Sequence, residues 1–489
     1  MPAVITAKDI ANASIDNVQT WFDEGRLNAQ TLVLLCLERI ARLDRSGPRL
    51  NSVVEVNPDA YHIAQLLDQE RRLRGPRSPL HGIPVLIKDN IATADKMHTT
   101  AGSLAMKDVY APQDAFVAER LRQAGAVILG KTNLTEWANF MTDHMPNGYS
   151  SRGGQVLNPY GPGSLDTGGS SSGSGAAVAA GLAILAIGTE TSGSILSPSN
   201  ENSLVGIKPT VGLISRFGIV PISHSQDTAG PLARSVKDAA LALSALTGFD
   251  PRDPATGAAE GRFPLNFADN LSPHALEGAR IGVPRGDFQD DLDPWQQDLL
   301  GAALADLTRL GATVIDPTDM PSRASAHDYT VLTYEFKADL NAYLSWLGDR
   351  TAVQSLDDVI AYNEANAEAT LKYGQTELLA SNATSGTLTE PGYIIARARD
   401  LPLAAQDGID AAIEHHRLDA LVFVGNRGAA IAAKAGYPSI TVPMGYSPSG
   451  QPLGLTFTAR AFEEQKLIEL AYAYEAGTHH RIPPELRLD

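Results

Sequence analysis

The chain has 489 residues, 43% of them hydrophobic and 19% charged, which allows a sizeable core and excludes global disorder. Asp plus Glu number 56 against 39 Lys plus Arg, a formal charge of −17 that argues against binding nucleic acid or an anionic membrane, since both need a positive footprint. The single cysteine, Cys36, excludes an internal disulfide and any CxxC metal or redox site, and its apolar helical surroundings make it a core thiol.

Two amphipathic helices are expected first, over 7–24 and 28–43, the second with Leu32, Leu35, Cys36, Ile40 and Leu43 near helical spacing. A third, over 59–73, ends in the basic run RRLRG, which suits the helix dipole. Short apolar runs then alternate with helical patterns: a strand at 84–87, a helix at 115–123, a strand at 126–129 and, after the motifs described below, another strand at 279–283. Asp293 caps a helix with Pro294 at its first position, ending near Leu310 before the strand ATVI. A Pro-, Gly- and Asp-rich surface connection is expected over 249–273. A mostly helical, lid-like insertion is expected over 322–400, interrupted by SNATSGTLTEPG. The last segment returns to strands (LVFV, SITVPMG, PLGLTFTA) and closes with a helix over 463–475. Alternation of this kind predicts an α/β/α sandwich, with a large mixed sheet covered by helices in one domain spanning 1–489. MPAVITAKDI lacks a secretory pattern, and the longest near-apolar stretch, 176–188, is shorter than the roughly 18 residues a bilayer span needs. A cytoplasmic location is expected.

Three places carry residues that folding alone would not choose. HGIPVLIKDN puts Lys88 at the end of an apolar strand, where desolvation favours the neutral amine; the bland alternative is a lysine that snorkels to water. LDTGGSSSGSG runs into a small-residue helix read over 176–186, apolar nearly all round and so buried. The loop is therefore a constrained one rather than a linker. GTETSGSILSP follows, and its Gly193 and Ser194 sit in a tight turn whose successive N–H groups could converge on an oxyanion; the bland alternative is an ordinary Ser/Thr/Gly turn.

Together, GIPVLIKDN, GGSSSGSG and GTETSGSI resemble the amidase signature family. KTNLTEWANF before the last two, and GIKPTVGLISRFGIVPISHSQDTAGPLARSVKDAA, AGYPSITVPMG and GQPLGLTFTA after them, extend the likeness over nearly the whole chain. GTET, SSRGGQ, YEFKADLNAYL and SHSQDT are closest in wording to the peptide amidase branch. The resemblance implies a Ser-cisSer-Lys triad and an acyl-enzyme: Lys88 as general base, Ser170 as the bridging serine after a cis peptide bond, and Ser194 as nucleophile. Ser171 would help to hold the lysine, and the backbone of Thr191, Ser192, Gly193 and Ser194 would form the oxyanion hole. It implies hydrolysis of a carbon–nitrogen bond in neutral amides (peptide C-terminal, aryl or alkyl amides, with carbamates within the family's range), with no cofactor and no metal. The partner is then a small-molecule amide, with no nucleic acid and no membrane, and the chain is a monomer or homodimer.

Departures from the common DTGGSIR wording bear on the substrate. Glu190 stands for Asp, Ser192 for a glycine, and Leu196 for an arginine that in some members faces acidic substrates. Carboxylate-bearing substrates are therefore disfavoured, with Arg152 and Arg427 as the other cations that would admit them. Walls of the substrate site are expected from 142–151 and from the helices of 320–400. GSSSG at 169–173 also fits a nucleophile elbow centred on Ser171, with His224 as its base, but NPYGPGSLDT before it is a loop where an elbow needs a strand. The alternative function is an amidotransferase A-type subunit acting with partner subunits, and a third reading is a catalytically dead scaffold. The acidic charge disfavours the former, and retention of all three triad residues the latter.

Overall fold

The computed structural model describes residues 5–318, 320–323 and 328–486. The first four residues of the N-terminal reading, and 324–327 of the expected helical insertion, lie outside them. Thirteen strands are present among the described residues: β1 (Val53–Val56), β2 (Pro84–Lys88), β3 (Val127–Thr132), β4 (Tyr149–Ser150), β5 (Gly154–Gln155), β6 (Leu185–Glu190), β7 (Val205–Lys208), β8 (Thr228–Ala233), β9 (Arg280–Pro284), β10 (Thr313–Thr318), β11 (Ala420–Val424), β12 (Ser439–Tyr446) and β13 (Pro452–Thr458). Eleven form one sheet in the order β1-β3-β2-β6-β8-β7-β12-β13-β11-β9-β10, while β4 and β5 make a separate hairpin. The sheet is mixed, with β3, β2 and β6 parallel to one another and β8 antiparallel to β6. This is the large mixed α/β sheet that the alternating pattern predicted.

Sheet and covering helices share one large apolar core, to which β2, β3 and β6 contribute Val85, Leu86, Ile87, Val127, Leu185 and Ile187. A second cluster lies under the helices of the 330–382 stretch, where Phe336, Leu340, Leu356, Val359 and Leu378 pack with Trp137 and Phe140. That region holds the helices Thr330–Leu347, Leu356–Ala365, Thr376–Asn382 and Pro391–Ala404. Among the described residues, no helix is long and apolar enough to cross a membrane.

Two helix boundaries differ from expectation for local reasons. The first helix is split, with a 3-10 turn over Asp9–Asn12 and an α-helix over Ile15–Asp23. Ser14 starts the second piece, since its hydroxyl accepts from Asn17 N at 3.1 Å while Asn17 Oδ1 accepts from Ser14 N. The helix expected over 176–186 spans Ser172–Ala179, and the rest of the apolar run becomes β6. Gly181 separates the two with φ +67°, and a Cβ there would lie 2.5 Å from the carbonyl oxygen of Ala11. Leu185–Ile187 then pair with β2 on one side and β8 on the other.

Candidate active site

β2 and β6 are adjacent and parallel, in register from Val85↔Leu185 to Ile87↔Ile187, so their C-terminal ends emerge together at one edge of the sheet. That edge is where open α/β sheets carry their sites. Lys88 ends β2 and is fully buried. Its Nζ donates to Ser170 Oγ at 2.7 Å, to Thr189 Oγ1 at 2.9 Å and to the Thr189 carbonyl at 3.2 Å. No carboxylate among the described residues pairs with it, and burial lowers its pKa to about 7 against the partial opposition of Asp227 and Glu190.

Ser170 lies in the Gly/Ser loop that precedes the helix Ser172–Ala179, and the Gly169–Ser170 peptide is cis. Ser171 does not reach the lysine directly. Its hydroxyl donates to the Thr189 carbonyl at 3.0 Å and accepts from Thr189 N at 3.3 Å, so it acts on Lys88 through Thr189. No strand leads into GSSSG, as expected for a loop that is not an elbow. His224, the base that an elbow would need, instead has its ring Nδ1 on Asp339.

The Ser194 loop leaves β6 and enters the short helix Leu196–Glu201, a strand lead-in where a helix was expected. Glu190 organises it. One carboxylate oxygen accepts from Gly193 N at 2.8 Å, the other from Ile195 N at 2.7 Å and Leu196 N at 3.0 Å. The Gly193 N–H is thereby turned inward, whereas those of Thr191, Ser192 and Ser194 have no partner among the described residues. Of the four expected oxyanion donors, three are available. Gly193 itself has φ +84°, which favours glycine. The Thr191 hydroxyl donates to half-buried Asp227, which also accepts from Ile222 N and Ser223 N at 2.9 Å each. Ser171 N donates to the Ser194 carbonyl at 3.2 Å, docking the two loops.

Ser194, 7% exposed, lines a cavity of about 230 Å³, while Lys88 and Ser170, both 0% exposed, stand behind it. The walls come from Ala138, Asn139, Phe140, Thr142, Asp143 and Met145, from Thr191 and Ser192, and from Ile222, Tyr329, Leu332 and Glu377. The expected walls are thus present at Thr142, Asp143 and Met145 and on two insertion helices, while Ala138, Asn139, Phe140 and Ile222 went unread. A larger groove of about 740 Å³ beside Tyr160 and Tyr446 has, among the described residues, no serine, lysine, histidine or cysteine in its lining. Sequence reasoning also passed over Thr189 and the organising role of Glu190, although both stand in the GTET string.

The Amidase family model matches residues 32–468. A probable amidase of Arabidopsis thaliana is 42% identical over 487 residues, covering 97% of this chain and 92% of its own. The native peptide amidase of Stenotrophomonas maltophilia superposes with a TM-score of 0.92 at 48% identity, covering 97% and 99% of the two chains. A glutamyl-tRNA(Gln) amidotransferase subunit of Cupriavidus necator is 31% identical over 92% of this chain and 94% of its own. With the family's three motifs gathered at one sheet edge, the chain belongs to the amidase signature family, matching its peptide amidase-like branch, and is an amide hydrolase acting on carbon–nitrogen bonds.

Proposed function

We propose that the chain cleaves neutral amides in preference to carboxylate-bearing ones, peptide C-terminal amides foremost and carbamates within reach, through an acyl-enzyme on Ser194. The observation that carries this reading is the bond from Lys88 Nζ to Ser170 Oγ behind the one serine of the triad that reaches the cavity. Burial leaves a large fraction of Lys88 as free amine near neutral pH. Ser194 Oγ attacks the amide carbon as its proton passes to Ser170, whose own proton passes to Lys88 Nζ. The N–H groups of Thr191, Ser192 and Ser194 receive the developing oxyanion. Collapse breaks the C–N bond as the proton returns through Ser170 to the departing amine, and water repeats the sequence on the ester. The likeness to a peptide amidase at 48% identity supports the substrate class over transamidation, whose named relative is 31% identical.

The test is a fluorophosphonate followed by intact-mass and peptide mapping. One adduct on Ser194 is expected, none in Ser194→Ala, with that variant still folded. An adduct on Ser171 would return the elbow reading, and glutamine-dependent ammonia release with co-purifying subunits would return the amidotransferase one.

A further inference from the structure

Among the described residues, the cavity beside Ser194 has carboxylates in its wall and no cation. Asp143 and Glu377 line it, and among the described residues its lining includes no lysine, arginine or histidine. Asp143 has local partners, accepting from Thr376 Oγ1 at 3.0 Å and lying 3.4 Å from His144 Nε2. Glu377 has none at its carboxylate. Its backbone N–H donates to the Met141 carbonyl at 3.1 Å, but its half-buried side chain makes no hydrogen bond or ion pair among the described residues. The charge that acts on it is another anion, Asp143, which adds to burial in raising its pKa. A half-buried carboxylate with no protein donor, beside a like charge, is open to a cation arriving from outside. Its place in the first turn of Thr376–Asn382 suits the helix dipole, but a carboxylate turned to solvent would serve that equally.

We infer that Glu377 and Asp143 select amides whose acyl part carries a positive charge: an ammonium or guanidinium on an apolar stem, as in a peptide amide with a basic side chain or a free α-amino group. The inference rests on the proposed chemistry at Ser194. Phe140, Met145, Ile222 and Leu332 supply the apolar wall for the stem. The two carboxylates replace the water lost by the cationic head. The −17 net charge adds a long-range attraction for the same cation.

The experiment uses three primary amides on one scaffold, ending in ammonium, methyl or carboxylate, with kcat/KM measured at low and high salt. The wild type should favour the ammonium over the methyl amide by about tenfold at low salt, less at high salt. In the double variant Glu377→Gln, Asp143→Asn that ratio should fall toward one. Because the ratio is taken within each enzyme, a loss of folding or of general activity cancels. A ratio near one in the wild type, or one unchanged in the double variant, overturns the inference. Should the double variant fail to fold, n-butylammonium must inhibit the wild type more strongly than n-pentanol; equal inhibition overturns it too. Hydrolysis of the methyl amide with labelling at Ser194 and no charge preference sinks this inference alone, whereas no labelling and no hydrolysis sinks the proposed chemistry with it.

Discussion

Lys88, Lys131 and Lys208 are all fully buried, and burial lowers the pKa of each, to about 7, 8 and 8. What separates them is the chemistry around Nζ. Lys131 donates to the Ile91 carbonyl at 2.5 Å and the Thr99 hydroxyl at 3.0 Å, and Lys208 donates to the carbonyls of Pro209 and Tyr437. Lys88 meets two hydroxyls, one of them Ser170 in the loop docked against Ser194. Lys88→Ala should therefore lower amide turnover by about 10²- to 10⁴-fold, checked by steady-state kinetics on a neutral amide. Turnover in the wild type should rise with pH through about 7, because the base is the unprotonated amine. The stability term has a definite sign as well. Folded Lys88 titrates below the unfolded value of 10.5, so between about 7 and 10.5 the unfolded chain binds more protons and this group's contribution improves as pH rises. Lys88→Met should consequently unfold at higher urea than wild type at pH 7, although inactive. Ser171 bonds Thr189 rather than the lysine, so Ser171→Ala should cost only about tenfold in kcat, with the rising limb of the pH profile displaced.

At the scale of elements, motifs were easier to read than boundaries. Lys88 at the end of β2 followed from an apolar run stopped by a charge, and the capped helix Pro294–Arg309 from Asp293 and Pro294. The segment AILAIGTE was misread because a run buried on all sides has no period to distinguish helix from strand. Only its pairing between β2 and β8 decides, and that is long-range information. The cavity walls were half legible for the same reason: Phe140 and Ile222 reach the cavity beside Ser194 through folding, with no spacing to announce them. Glu190 was legible as a departure from aspartate, but not as the acceptor for three backbone donors of the nucleophile loop. Glu190→Gln tests that role. One amide oxygen can still serve Ile195 and Leu196, while the NH₂ would face the Gly193 N–H. Loss of about 1–3 kcal/mol in urea unfolding is expected, with kcat lowered more than KM is raised. An unchanged unfolding midpoint would mean that the loop holds itself.

Across the whole molecule, charge bears on the substrate question that the motif wording raised. Arg152, one cation offered for an acidic substrate, is held by Asp89 at 2.9 Å and Glu55 at 2.7 Å. Arg427, the other, pairs with Asp291 and donates to the Phe288 carbonyl. Neither lines the cavity with Ser194, whose wall includes two carboxylates. Neutral amides should therefore exceed matched carboxylate-bearing amides in kcat/KM, and most of the gap should persist at physiological salt. Screening there acts over about 8 Å, too far to quench carboxylates within the same cavity. Leu196, which occupies the position of an arginine in other members, is fully buried and not part of that wall. Leu196→Arg would force a guanidinium into the base of the helix Leu196–Glu201, beside the Ser194 loop, where the nearby carboxylate, Glu190, is already engaged by three N–H groups. The expected outcome is a protein destabilised by more than about 2 kcal/mol that still discriminates against the acidic amide. A folded Leu196→Arg enzyme that hydrolysed neutral and acidic amides equally would show instead that this side chain can swing into the cavity, and that the carboxylates of the wall do not govern its preference.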